Sequence, residues 1–407
     1  MLQLYKMAFR DLGRNRRRSF LSALALAIGL ALLLLMAAVV AGEIKASLDS
    51  SIKLQSGDLQ VRASSYNEDK AGLAWKDLIA NPDQVAAQIA SLAPVQVATP
   101  RLFASGIIAV GDNTAGVRVI GIDPPSAANA PYRDGLVSGM FLSADDRQGV
   151  LIGQTLADKF NLKAGETVNL LVNTANGKVD QQPFIVRGIY TTHTPTYDEN
   201  TVFLPLAKAQ AMTQTENHAS IIFILLKDRD QTDAVAAALQ GNNYQIKTWV
   251  QMNDLLVQFQ QLSDAYMVVL YLIVLAITAT VIVNTLIMSV FERTREIGIL
   301  AAMGMRGGRI MAMFLAESSL LAVGGIAMGL ALGALMVYYA TVHGFYIGNY
   351  GASGIMLGDT IYAHLTASDT VKLTITAFII SLLAALYPAA LAARLEPVDA
   401  LRGGKLA

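Results

Sequence analysis

Four stretches of this chain are almost free of charge, and each is long enough to cross a bilayer. The first, Ser19–Gly42, reads SFLSALALAIGLALLLLMAAVVAG, 24 residues without a charged side chain. As a helix it measures about 36 Å, enough for a hydrocarbon core of about 30 Å with some tilt. The second is Ala265–Phe291, closed off by Asp264 and Glu292. The third, Ile310–Val342, is interrupted by Glu317 alone, and the fourth is Leu373–Ala393, between Lys372 and Arg394. Charge-free runs of this length mark membrane spans rather than core helices of a soluble fold. Only 15% of the residues are charged and 54% are hydrophobic, against about 25% charged in ordinary soluble proteins.

Lysine and arginine set the orientation. Lys6, Arg10, Arg14, Arg16, Arg17 and Arg18 precede the first run, and Arg293, Arg295, Arg306 and Arg309 lie between the second and third. Arg394, Arg402 and Lys405 follow the fourth, whereas His343–Val371 holds no Lys or Arg. The positive-inside rule puts both termini and residues 292–309 in the cytoplasm. The expected organisation is a basic segment over 1–18, which suits an amphipathic helix on the inner leaflet, and spans at 19–42, 265–291, 310–342 and 373–393. An extracytoplasmic domain covers 43–264, a cytoplasmic elbow 292–309, an outside loop 343–372 and a cytoplasmic tail 394–407. RRRSFLS at Arg16–Ser22 imitates a twin-arginine export signal, but its apolar run is longer than the 7–15 residues of such signals, so it reads as an uncleaved anchor.

Catalytic chemistry is not legible. The chain has no cysteine, hence no disulfide, thiolate metal site or thiol nucleophile. Its four histidines, His193, His218, His343 and His364, are isolated, and no G-x-S-x-G or phosphate-binding loop is present. The chain is therefore expected to bind no metal or cofactor and not to hydrolyse ATP by itself.

The fold class expected is an α-helical membrane protein with an added α+β domain. GDLQVRA (Gly57–Ala63), Val95–Gly111, Ala115–Asp123, Ser220–Asp228 and Tyr244–Gln251 read as strands. Asn81–Leu92 and Gln231–Gln240 read as helices, the first with Asn81 as N-cap and Pro82 at N1. Two β-α-β units thus flank a β-rich insertion placed at 126–215. The outside domain carries 17 basic and 23 acidic residues and the cytoplasmic pieces 13 and five. The basic excess follows topology, which argues against a nucleic-acid partner.

Within the spans, Glu317 costs about 2.5–3.5 kcal/mol if it lies in hydrocarbon. It either pairs with an arginine of the elbow or N-terminal segment, or sits at headgroup level. Gly325, Gly329 and Gly333 share one helix face, a small-residue surface for packing within the subunit or between subunits. Pro388 kinks the fourth span or marks its end. In the elbow, Glu292 and Glu296 stand at i, i+4, as do Arg293 and Ile297, so a helix here presents both charge signs to a partner. Gly298, Ala302 and Met303 lie in the small and apolar run that follows, and Gly304, Gly307 and Gly308 permit the turn into the third span.

ERTREIGILAAMG (Glu292–Gly304) and YPAALAARLEPVDALRGG (Tyr387–Gly404, with Pro388, Arg394 and Pro397), set in this order of spans, resemble permeases of the FtsX/MacB/Lol superfamily, the mechanotransmitting type VII ABC transporters. AFRDLGRNRRRSFLSALALAIGLALL and SGDLQVRASSY look most like its lipoprotein-release, LolC/LolE-like branch. The resemblance implies a bacterial inner-membrane protein whose elbow, with Glu292, Arg293, Arg295, Glu296, Ile297, Gly298, Ala302, Met303 and Gly304, contacts a separate ATPase. It further implies two ATPase copies carrying the ATP and Mg, a dimer with a second permease copy or paralogue, and a lipoprotein, lipid, carrier or adaptor outside. An exporter of MacB type and an FtsX-like regulator of a cell-wall hydrolase are the competing readings; unlike MacB, the chain shows no fused nucleotide-binding domain.

Overall fold

The computed structural model describes residues 10, 16–67, 73–240, 244–346 and 359–396. Most of the basic segment 1–18, the middle of the outside loop, and the tail from Pro397 onward lie outside the described residues. The chain divides into two compact units, one of Met1–Glu43, Gln260–Phe345 and Tyr362–Ala407, the other of Ile44–Phe259 and Tyr346–Ile361.

The first unit is built from helices long and apolar enough to cross a membrane. They are α1 (Arg16–Ser51), α4 (Asp254–Glu292), α6 (Gly307–His343) and α7 (Ala367–Ala393). Both α1 and α4 continue as helix past the apolar runs, α1 on to Ser51 and α4 from Asp254, so each contributes residues to both units. Within the bundle, Leu26, Leu30, Leu33 and Leu34 of α1 pack with Leu275, Ala322, Ile326, Leu373 and Ala377 of the other three.

Glycines decide how close these helices come. A Cβ on Gly325 would lie 2.9 Å from the Ala23 carbonyl oxygen, one on Gly329 3.0 Å from that of Ala27, and one on Gly333 2.7 Å from Leu34 Cδ1. The small-residue stripe of α6 is therefore a contact with α1 inside the subunit. Two buried hydroxyls in the bundle bond to their own helices: Thr278 Oγ1 donates to Val274 O at 2.9 Å and Ser381 Oγ to Ala377 O at 2.7 Å. Pro388 is buried inside α7, which runs on to Ala393, so it does not end the span; its missing N–H deprives the Ala384 carbonyl of the usual helix partner.

The second unit holds one ten-stranded sheet. Its strands are β1 (Leu59–Ala63), β2 (Val95–Val110), β3 (Asn113–Ile122), β4 (Leu136–Gly139), β5 (Gly149–Gly153), β6 (Thr167–Asn173), β7 (Val179–Tyr190), β8 (Thr201–Pro205), β9 (Ile221–Leu226) and β10 (Tyr244–Thr248). At one end the order is β10–β1–β9–β2, all neighbours antiparallel. With α2 (Pro82–Ala90) between β1 and β2 and α3 (Thr232–Leu239) between β9 and β10, this makes two interlocked split β-α-β units. Ala86, Ile89, Val235 and Ala236 of the helices cover Leu59, Val61, Ile222 and Ile224 of the strands.

At the other end the sheet closes on itself, β2–β3–β8–β5–β7–β6 and back to β2. Alternate residues fill this barrel: Val168, Leu170 and Val172; Phe184 and Val186; Val117 and Val119; Val150 and Ile152; Val202 and Leu204. The barrel takes in Leu102–Ile122, so the β-rich part begins before the expected boundary at residue 126. The reason is that β2 is one 16-residue strand shared by both parts: its first half pairs with β9 and its second with β3 and β6. The strand continues through the change of partner, with Pro100 just before it.

Two local expectations are corrected. Asn81 stands at the start of α2 with φ 50° and makes no side-chain cap; its Oδ1 accepts from Asn217 Nδ2 at 2.5 Å instead. The last strand stops at Thr248, whose hydroxyl, with Gln251, forms a capping box for a short helix at Trp249–Met252.

The α1–α6 contact generates a prediction. Gly329→Val should destabilise the detergent-solubilised chain by about 1–3 kcal/mol, the usual range for overpacking. Gly324→Val, on the same helix with open space where its Cβ would be, should leave thermal stability within about 0.5 kcal/mol of wild type.

Candidate functional site

Helix α4 ends at Glu292, and α5 (Thr294–Ala302) begins after a corner at Arg293, where φ is −108° and ψ 11°. The far end of α5 is a Schellman motif: Gly304 N–H donates to Ala301 O and Met305 N–H to Leu300 O, both at 3.0 Å. Gly304 adopts φ +92°, a conformation that glycine alone takes cheaply. The other two glycines have different reasons. Gly307 approaches α7, its Cβ position lying 2.7 Å from the Ala393 carbonyl oxygen, while Gly308 faces open space.

The two sides of α5 differ. Ile297 and Gly298 are buried, Ile297 with Val290, Ile310, Met313, Phe314, Ala389 and Ala392. Part of the apolar run expected to meet a partner is thus spent on the protein's own bundle, because helical spacing turns 297, 298 and 301 to one side. The other side carries Arg295, Ile299, Ala302 and Met303, with Ile299 45% and Met303 72% exposed. Glu292, Arg306 and Arg309 are exposed around it. Arg394, at the end of α7, is also exposed, and Pro397 lies outside the described residues.

Arg293 does not face outward as the sequence spacing suggests. Its Nε lies 3.2 Å from Glu296 Oε2 and its Nη1 3.5 Å from Glu317 Oε2, with side chains of Arg293 and Glu317 only 11% and 9% exposed. The guanidinium is 6.0 Å from the Phe314 ring centre. Of the two positions open for Glu317, the structure gives the ion pair with an elbow arginine. Glu296, half-turned toward Arg293, is therefore a bridging residue as well as a surface one.

Sequence reasoning missed a second constellation, in the other unit. Arg101 is fully buried and donates Nη1 to Leu54 O at 3.0 Å, its guanidinium 3.6 Å from the Phe223 ring centre. The hydroxyls of Tyr132 and Tyr197 donate to the same carbonyl at 2.8 and 3.2 Å. Burial pushes the pKa of both tyrosines up, so they stay neutral donors. Leu54 lies in a π-helical turn, Ile52–Ser56, directly after α1. Nearby, Arg229 joins Asp49 at 3.0 Å to Asp58 at 3.1 Å. No sequence spacing signals these contacts; a lone arginine in an otherwise uncharged strand was the one available cue. Among the described residues, no cluster of His, Asp or Glu is placed to hold a metal.

This arrangement of an apolar bundle, a two-sided elbow and an outside α+β unit matches known families over most of the chain. The model described as the MacB-like periplasmic core domain matches residues 19–242, and the FtsX-like permease C-terminal matches residues 268–397. The chain belongs to the FtsX/MacB-like family of ABC transporter permeases, multi-pass membrane proteins with a periplasmic domain. It is 27% identical to the macrolide export ATP-binding/permease protein MacB of Rhodospirillum rubrum, over 97% of this chain and 59% of that protein. It is 21% identical to the lipoprotein-releasing system transmembrane protein LolC of Neisseria meningitidis, over 76% of this chain and 78% of LolC. An uncharacterized ABC transporter permease of Methanocaldococcus jannaschii is 24% identical over 69% of each chain. The likeness is divided between MacB and Lol proteins, so the Lol-like N-terminal stretch does not decide the branch.

The end of α5 can be tested alone. Gly304→Ala forces a side chain into positive φ and should cost about 1–3 kcal/mol of stability. Gly308→Ala, inside a helix and in open space, should be neutral or slightly stabilising. Thermal denaturation of the purified chain separates the two.

Proposed function

We propose that this permease transmits ATP-driven motion of a separate ATPase to its periplasmic domain, and that the load is a lipoprotein or lipid released from the inner membrane. The observation that carries the first part is the two-sided α5. Its inner side is packed into the bundle, and its outer side leaves Ile299 and Met303 exposed among Arg295, Arg306 and Glu292. An apolar patch rimmed by charge suits a soluble partner. Family membership implies an ABC ATPase, and two copies would serve a permease dimer formed with a second copy or a paralogue. ATP and Mg would be held there.

The lipoprotein reading is supported by LolC, of which the chain covers 78%. The MacB relative, with 27% identity over 97% of this chain, favours a second reading: an exporter of a drug or peptide that works with an adaptor. Proteoliposomes holding the permease–ATPase complex and a labelled triacylated lipoprotein would separate them. ATP-dependent release to a soluble acceptor supports the first; macrolide efflux without lipoprotein release supports the second.

In this reading the termini and residues 292–309 are cytoplasmic. A reporter inserted at Asn176 should be extracytoplasmic and one at Gly307 cytoplasmic; both on one side would end the four-span topology.

The docking face itself makes a sharper prediction. Ile299→Glu and Met303→Glu bring charge into an apolar contact without touching the buried side, so both variants should insert and keep wild-type thermal stability. Each should reduce ATPase co-purification at least about tenfold, since burying an unpaired charge at an interface costs several kcal/mol. Unchanged recovery of the ATPase with both variants would remove α5 as the docking site.

A further inference from the structure

The ion pairs at the head of α5 do more than neutralise a buried carboxylate. Arg293 occupies the corner where the chain leaves α4, and its guanidinium meets Glu296 on α5 and Glu317 on α6. One side chain thus joins the corner, the elbow helix and the third span. We propose that Arg293 and Glu317 form a latch that makes α5 and α6 move as one body, so that a push on the elbow is delivered to the third span. The inference deepens the coupling role proposed above and rests on it.

Packing alone would not give this behaviour. Ile297 meets Ile310, Met313 and Phe314 through apolar surface, which attracts without direction and tolerates sliding. The guanidinium fork and two carboxylates fix one register. Sliding α5 along α6 would leave two charges apart in a low-dielectric surrounding, a state that is strongly disfavoured. Arg293 and Glu317 are positioning residues: the surface offered to the ATPase is made by other side chains, Arg295, Ile299, Ala302 and Met303.

The chain has no cysteine, which allows clean labelling. Spin labels at Arg295→Cys on α5 and Val323→Cys on α6 report the separation of the two helices in the full-length chain without ATPase. The distance distribution should be narrow in the otherwise wild-type chain and at least about twofold broader in Glu317→Gln and Arg293→Gln. The swap Arg293→Glu with Glu317→Arg re-forms a guanidinium–carboxylate pair across the same contact, and should restore the narrow distribution. A distribution for Glu317→Gln as narrow as wild type overturns the latch, and so does a swap that stays broad, because the effect would then be disruption rather than pairing.

Unlabelled variants are then assayed in the permease–ATPase complex. Both single variants should recruit the ATPase normally yet lose about tenfold in ATP turnover, with the swap restoring it to within about threefold. Arg293→Leu with Glu317→Leu removes both charges and so keeps the fold; it should be equally uncoupled. Wild-type turnover in the single variants and in this double variant overturns the latch as a transmitter. If the wild-type chain recruits no ATPase, the coupling reading fails and the transmitting role falls with it; the label distances alone then say whether the pair joins the helices.

Discussion

The third span lies against the first only because three glycines leave room for it. Side chains at 325, 329 and 333 would collide with the backbone or leucines of α1. In hydrocarbon there is no water to drive helices together, so association depends on dispersion contacts that fade within an ångström of separation. The glycine contact brings α6 to α1, and Leu26, Leu30, Leu33 and Leu34 then fill the space shared with α4 and α7. Helix α1 is the most enclosed of the four, and α4 the least, with Val268, Val269, Leu272, Ile273 and Ile277 exposed. The register of α6 set by this contact also fixes where Glu317 stands, and so where an arginine is required.

The periplasmic unit answers to a comparable constraint. Strand β2 serves both parts of the sheet, and Arg101, its last residue paired with β9 before the strand continues into the barrel, is the residue whose guanidinium holds the Leu54 carbonyl. A π-helical turn frees a carbonyl from the regular helix pattern, and here three buried donors take it. The residues directly after α1 are thereby gripped at the seam between the β-α-β part and the barrel. Ser51 and Asn253, one just before the π-turn and one just before α4, are hydrogen-bonded to each other. Within this unit the extension of the first span and the chain leading into the second are fastened together.

Much of this was legible in the sequence, for identifiable reasons. The spans follow from runs without charge, and β1 from the alternation in GDLQVRA. The glycine stripe was visible as i, i+4 spacing, but its partner was not: spacing says that a face is smooth, and only tertiary packing says which helix lies on it. The same limit applied at Arg293 and Ile297. Their i, i+4 relation put them on one face, yet both turned inward, because the corner between α4 and α5 sets the helix phase and no local residue encodes it. The seam at Leu102 was hidden for a different reason, since a strand shared by two parts of one sheet runs on without a break.

How the bundle treats its polar groups bears on what it does. Ser22 and Thr285 bond to each other at 2.6 Å, Thr278 and Ser381 to their own helices, and Ser318 to the Ser381 carbonyl. The bonds of Ser22, Thr285 and Ser318 link neighbouring helices, those of Thr278 and Ser381 stay within one, and hydroxyls committed in either way present little to a hydrated solute. The cavity they border, between Ser22, Ile282, Thr285 and Ser318, has room for about one water molecule, roughly 10 Å³. A pathway for a large or charged cargo would need a row of uncommitted polar groups and a far wider space. Dry packing resists compression, so displacement at one end of a helix arrives at the other with little loss. That property is useless in a pore and necessary in a lever, which is why the latch proposed between Arg293 of the elbow and Glu317 of the third span, rather than a polar path through the bundle, would be where a push is handed on.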